Sequence, residues 1–179
     1  KAEGIELTHI IGPQTEHKYH PDSKVEIERR LSSIVARGRD PLPRQVKFTT
    51  WTLRYNQMRW VTVDALGQHW EQARVEAEIK DATTVQVKTQ NVMALTLAMP
   101  SGLCPLDLAR KPVVVLDDQK LEAAPVMSDR SWTAHFRQVG GKWTAVADLE
   151  TGLLKRHGLS GPVDDAFLSS FVMVRPTGK

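Results

Sequence analysis

His17 and His20 stand in the segment Gly12-Pro13-Gln14-Thr15-Glu16-His17-Lys18-Tyr19-His20-Pro21-Asp22-Ser23. Imidazole ionises near neutral pH, so a loop histidine can take a proton from a nucleophile and return it to a leaving group. Such a base must be held in place yet remain open to substrate. The flanking sequence supplies that kind of mounting. Ile5-Glu6-Leu7-Thr8-His9-Ile10-Ile11 is short and rich in β-branched residues and ends at Gly12-Pro13, which predicts a strand buried on both faces. On the other side Ser23 is a suitable N-cap, with Glu26 three residues later in a capping box. Ile27, Leu31, Ile34 and Val35 then fall on one helical stripe, and Gly38 with Asp40-Pro41-Leu42-Pro43 ends it. The plainer alternative is a pair of surface histidines. A metal held by His17, His20, Glu16 and Asp22 is weaker still. A dependable site needs three or four convergent ligands, so no metal and no cofactor is expected.

Other residues could bind rather than react. Trp51, Trp60, Trp70, Trp132 and Trp143 all lie between residues 44 and 147. A sugar's apolar face packs on an exposed indole, whereas a buried indole fills a core. Trp132 and Trp143 alternate with apolar partners and read as core. Trp51 and Trp60, flanked by Arg54, Tyr55 and Arg59, are the candidates for exposure. The expected ligand-binding set is therefore Trp51, Tyr55 and Trp60. Asp117-Asp118 reads as a turn, and Asp164-Asp165 as acids at a helix start. Cys104, between Leu103 and Pro105, reads as a small buried hydrophobe.

The elements that must carry these residues are mostly strands. Val46–Leu53, Met58–Leu66, Trp70–Ile79, Thr84–Thr89, Val92–Met99, Val113–Leu116, a segment around Leu121, Ser131–Val139 and Lys142–Ala147 favour β structure. Val75, Ala77 and Ile79 alternate with Arg74, Glu76 and Glu78, which gives one dry and one wet face. Gly140-Gly141 marks a hairpin. The expected fold is mainly β: an antiparallel β-sandwich, immunoglobulin-like or similar, preceded by a strand–loop–helix. Its core should include Val75, Ile79, Val87, Leu97, Trp132, Phe136 and Trp143. The boundaries read as 1–40, 41–150 and 151–179. Pro162 through Ala166 reads as a helical turn and Phe171–Val174 as a final strand.

The 179 residues include 24 Lys and Arg against 21 Asp and Glu, a net charge of +3 with both signs mixed along the chain. That balance argues against a nucleic-acid binder. No apolar run approaches the roughly 20 residues of a membrane span. One cysteine excludes an internal disulfide and any multi-cysteine metal site. The chain begins at Lys1 and stops after Arg175-Pro176-Thr177-Gly178-Lys179, and both ends read as cuts in a longer polypeptide.

The run from Ile10 to Ser23 resembles the end of the catalytic domain in bacterial prolyl-oligopeptidase-like esterases and peptidases, the S9-type α/β-hydrolases. Arg54-Tyr55-Asn56, Gly161-Pro162-Val163-Asp164-Asp165-Ala166-Phe167 and Phe171-Val172-Met173-Val174-Arg175-Pro176-Thr177-Gly178 resemble segments that follow that domain in large, often exported members. The resemblance implies that residues 1–40 are the C-terminal remnant of the hydrolase. It makes His17 the triad base of the parent, with His20 the lesser alternative. It also implies a periplasmic or secreted location and an upstream hydrolase domain as partner.

The chain contains no Gly-x-Ser-x-Gly elbow, and no aspartate precedes His17. In this fold the order is nucleophile, acid, histidine, so both missing groups belong upstream. The expected function is thus a non-catalytic accessory piece of a serine hydrolase, inactive alone. The alternative is a sandwich that binds carbohydrate or a protein partner. Neither nucleic acid nor membrane is expected as a partner. The strand Ile5–Ile11 needs hydrogen-bonding neighbours, which implies pairing with Phe171–Val174 or with a second copy in a homodimer.

Overall fold

The computed structural model describes residues 7–149, 155–159, 170, 172–174 and 177–178. The chain forms two compact units, Lys1–Asp40 and Pro41–Lys179.

The first unit is built on one helix, α1 (Pro21–Arg37). Its start differs from expectation. His20, not Ser23, is the N-cap: its Nδ1 accepts from the Asp22 backbone N–H at 3.3 Å, and Pro21 opens the first turn. Proline at that position needs no hydrogen-bond partner, so the helix begins earlier than the capping box would place it. Glu26 binds Arg29 and Arg30 instead of reaching back to a cap. Ser23 is buried and donates to the Ile11 carbonyl at 3.3 Å. The end agrees with the sequence, since Gly38, at φ 69°, donates to the carbonyls of Ile34 and Val35. Leu31, Ile34 and Val35 of the apolar stripe are exposed.

The expected strand Ile5–Ile11 is corrected over its described part. Residues 7–12 carry no strand, and Leu7 and Ile11 are exposed. A strand needs a neighbouring strand to take its backbone groups, and among the described residues none lies beside this segment. The expected strand pairing of this segment with Phe171–Val174 is absent among the described residues. Val172, Met173 and Val174 are likewise exposed and outside any strand. Phe171 and the expected turn at 162–166 lie outside the described residues.

The second unit is mainly β. Its strands are β1 (Gln45–Thr50), β2 (Gln57–Met58), β3 (Val61–Leu66), β4 (Ala73–Ile79), β5 (Thr84–Gln90), β6 (Val92–Met99), β7 (Val113–Leu116), β8 (Gln119–Glu122), β9 (Trp132–Val139) and β10 (Lys142–Val146). One sheet runs β1-β4-β5-β7-β8, the other β10-β9-β6-β3-β2. All neighbours are antiparallel except β5 and β7, where Thr84–Val87 run beside Val113–Leu116 in the same direction. After β5 the chain crosses to the other sheet as β6. It then returns through residues 100–112, and two crossings restore the original direction.

The alternation read from sequence is present: Ala73, Val75, Ala77 and Ile79 are buried, and the residues between them are not. One core joins the inward faces of both sheets, with Val46, Phe48, Val75, Val87 and Leu116 from the first and Val63, Leu97, Trp132, Phe136 and Trp143 from the second. All seven core residues expected from the pattern are buried. The turn chemistry also agrees. Gly140 and Gly141 have φ of 58° and 78°, and Asp117 and Asp118 have 46° and 67°, the left-handed pair that a two-residue hairpin requires.

Candidate functional site

The histidine loop is the first region to place. His17 is exposed, and no described residue hydrogen-bonds its ring. His20 is half-buried and occupied as the helix cap. The structure therefore gives the two rings different tasks: one is structural, the other is open.

A hydroxyl, an imidazole and a carboxylate do meet elsewhere, on the outward face of the second sheet. Thr96 Oγ1 on β6 donates to Asp64 Oδ2 on β3 at 2.7 Å and lies 2.8 Å from His135 Nδ1 on β9. A hydroxyl has one proton. With that proton on the Asp64 side, His135 must present Nδ1–H to the Thr96 oxygen. This is the reverse of an activated nucleophile, in which the hydroxyl gives its proton to the imidazole. Burial raises the Asp64 carboxyl above the ordinary value, opposed by the Thr96 hydrogen bond and by His135. His135 also lines a shallow pocket of about 170 Å³ walled by Ala123, Ala124, Ala145 and Ala147. Among the described residues lining it, His135 is the one ionisable side chain. The cluster braces three strands and is not built for turnover.

Cys104 is buried and its thiol is pushed up by desolvation, so it is inert. Among the described residues no group of three His, Cys, Asp or Glu side chains converges on a point.

The aromatic residues separate into two kinds. Trp60, expected to be exposed, is 1% exposed, and its Nε1 donates to the Pro43 carbonyl at 2.8 Å. The expected single strand Met58–Leu66 is in fact a tight hairpin, with Gln57–Met58 paired to Val61–Thr62 and Arg59 at φ 58°. The turn sends the Trp60 ring into the core. Trp132 Nε1 donates to the Ala124 carbonyl and Trp143 Nε1 to Asp117 Oδ2. Every buried indole N–H thus has a partner, as burial demands.

Trp51 and Trp70 differ. They are 49% and 56% exposed, and neither indole N–H has a partner among the described residues. Tyr55, 71% exposed, stands on the same loop as Trp51 with the Arg54 guanidinium 5.8 Å above its ring centre. Trp51 and Tyr55 are where the sequence expects binding residues. Trp70 is not, because the sequence reads it as the start of a strand running to Ile79. Instead β4 begins at Ala73 and Trp70 lies in the preceding loop.

That loop is braced. The Trp70 backbone N–H donates to the Trp51 carbonyl at 3.0 Å. The Asn91 side chain accepts from Gln68 N and donates to the carbonyls of Gln68 and Glu71. A Cβ at Gly67 would lie 2.8 Å from Asn91 Oδ1 and would push that side chain out of place. Trp70 itself is held at φ 70°, a backbone that costs a side-chain-bearing residue about 1–2 kcal/mol. On the other loop, Thr52 caps a 3-10 turn at Leu53–Tyr55, and His157 Nδ1 lies 2.9 Å from the Leu53 carbonyl. His69 is lowered from its ordinary value by burial and then by the charge of Lys155, so its ring is neutral at pH 7.

No family model matches the chain, and no curated protein or solved structure matches it. The site therefore rests on its own geometry: two open indoles and a phenol on braced loops, with amide, carboxylate and neutral imidazole groups from Gln68, Glu71, Gln72 and His69 beside them.

Proposed function

We propose that the chain is a non-catalytic β-sandwich module that binds a ligand at the end carrying Trp51, Tyr55 and Trp70. The observation that carries this reading is the contrast among the five tryptophans. Three are buried with their N–H groups bonded, and two are open on loops fixed from several sides. Fixed loops bear on binding because side chains already in place lose little freedom when a ligand arrives.

The setting of the module is an accessory region of a larger, exported serine hydrolase of the prolyl-oligopeptidase-like type. Support comes from the resemblance around Ile10–Ser23 and from the exposed position of His17, just ahead of a capped helix. In that setting His17 is the triad base of the parent, and the nucleophile and acid come from the upstream domain.

The isolated chain should not turn over p-nitrophenyl acetate or butyrate above buffer. Turnover that disappears in His17→Ala would overturn the non-catalytic reading. For the parent, the upstream reading frame should encode Gly-x-Ser-x-Gly followed by an aspartate. A frame without that elbow would remove the hydrolase setting and leave the binding module standing.

A further inference from the structure

Resting on the binding-module reading, we propose that the ligand is a polysaccharide chain. Trp51 and Trp70 supply the stacking platform, and the 68–72 loop supplies hydrogen bonds to the sugar hydroxyls. Four features point to sugar. The exposed apolar surface on the two loops is aromatic: Trp51, Tyr55 and Trp70 are open, while Leu53 between them is fully buried. Flat rings match the C–H face of a pyranose, which packs on an open indole. Each open indole also carries an N–H with no partner among the described residues, a donor at the ring edge for a hydroxyl.

The neighbouring groups fit the same ligand. Gln68 and Gln72 are exposed amides and Glu71 an exposed carboxylate, and sugar hydroxyls both donate and accept. His69 is half-buried between them, and its neutral ring offers one donor and one acceptor. The fourth feature is the cost of the arrangement. A tryptophan at φ 70° works against the fold, and Asn91, Gly67 and the Trp51 carbonyl combine to hold it there. Strain kept in place by this many contacts is typical of binding sites.

The test is affinity electrophoresis of the full chain in gels containing hydroxyethyl cellulose, arabinoxylan, galactomannan or dextran, supported by tryptophan fluorescence titration with the same polymers. At least one polymer should retard the native chain. Trp51→Ala and Trp70→Ala should each weaken that interaction tenfold or more, Trp70→Phe should largely preserve it, and Val139→Ala, on the β9–β10 hairpin, should not change it. A structural role is separated from a binding role by Trp70→Gly. Glycine relaxes the left-handed backbone, so this variant should melt about 2–4 °C above Trp70→Ala while binding no better. If none of the four polymers retards the native chain, or if both alanine variants are retarded as strongly as it, the proposal fails. It fails equally if polymer migration is unchanged while the variants abolish self-association in sedimentation, which would make the patch a protein-docking surface. Neither failure touches the esterase result, which tests the non-catalytic reading separately.

Discussion

Trp143 Nε1 donates to Asp117 Oδ2 across 2.9 Å, and so ties the second sheet to the hairpin that ends the first. Asp117 sits between β7 and β8, and Trp143 on β10. The same carboxylate accepts from the Thr89 backbone N–H and hydroxyl, both at 2.6 Å. The Trp143 backbone N–H donates to Gln119 Oε1 at 2.8 Å. One half-buried acid thus satisfies three donors from two strands. Asp117→Ala leaves all three without their acceptor. It should destabilise the chain by roughly 2–4 kcal/mol, because hydrogen bonds to a charged group are worth more than neutral ones. Urea unfolding followed by Trp fluorescence reads this directly. A loss under about 0.5 kcal/mol would mean that water replaces the carboxylate at no cost.

Phe136 tests the core itself. It is fully buried on β9, opposite Leu95 and Ala145 in the ladder. Phe136→Ala should cost about 3–5 kcal/mol, the range for removing a large aromatic from a packed interior. Denaturant titration should show a lower midpoint with an unchanged slope. A near-neutral result would show that the two sheets close over the cavity.

How much of this was legible in the sequence depends on the range of the interaction. The strands were readable because alternation is local: Val75, Ala77 and Ile79 announce their face without reference to anything else. The hairpin at Arg59-Trp60 was not, because its left-handed residue is an arginine where glycine or asparagine gives the usual signal. That single turn reversed the expected exposure of Trp60. Trp70 was hidden for the opposite reason, since an aromatic beside a β pattern reads as strand. The signal available was Asn91 after Gln90, an asparagine in a tight turn, but its partners at Gln68 and Glu71 are 23 and 20 residues away. The Asp64–Thr96–His135 bridge spans 32 and 39 residues, and only the presence of a polar residue inside each strand hinted at it. In the first unit the local pattern for a strand at Ile5–Ile11 was sound, but a strand also needs a neighbour, which pattern does not supply.

Asp64 gives a pH-dependent prediction. Its carboxyl is raised by burial, so the ionised form is the unfavourable one in the folded chain. A raised acid contributes stability below its unfolded value, near 3.8, and loses that contribution as pH rises through the folded value. Asn at this position keeps an acceptor for Thr96 and removes the charge. Asp64→Asn should therefore raise the melting temperature at pH 7, and the gain should shrink or vanish at pH 3.5. An Asn variant less stable at pH 7 than the native chain would show that the Thr96 hydrogen bond and the field of His135 outweigh the desolvation.

The last prediction concerns independence of the two units. Among the described residues every member of the buried core lies between Val46 and Trp143, and all strands of both sheets lie between Gln45 and Val146. None of the described strands of the sandwich comes from residues 1–40. A chain of residues 41–179 should keep the β circular-dichroism spectrum and unfold in one transition. Its melting temperature should lie within about 2 °C of the full chain, less than a 1 kcal/mol change would produce at this size. The complementary peptide, residues 7–40, should behave differently. An isolated helix of the 17 residues of α1 is marginal in water, and much of its local support comes from Glu26 with Arg29 and Arg30. Those guanidinium hydrogen bonds hold the Glu26 carboxyl down to about 2 from an ordinary 4.5. A lowered acid supports the helix above the ordinary value and loses that support as pH falls through the lowered one, so helicity should decline between pH 4.5 and 2. The outcome that sinks the prediction is a 41–179 chain that is insoluble, or that melts more than about 8 °C below the full chain. Either result would make the first unit a working part of the sandwich's core.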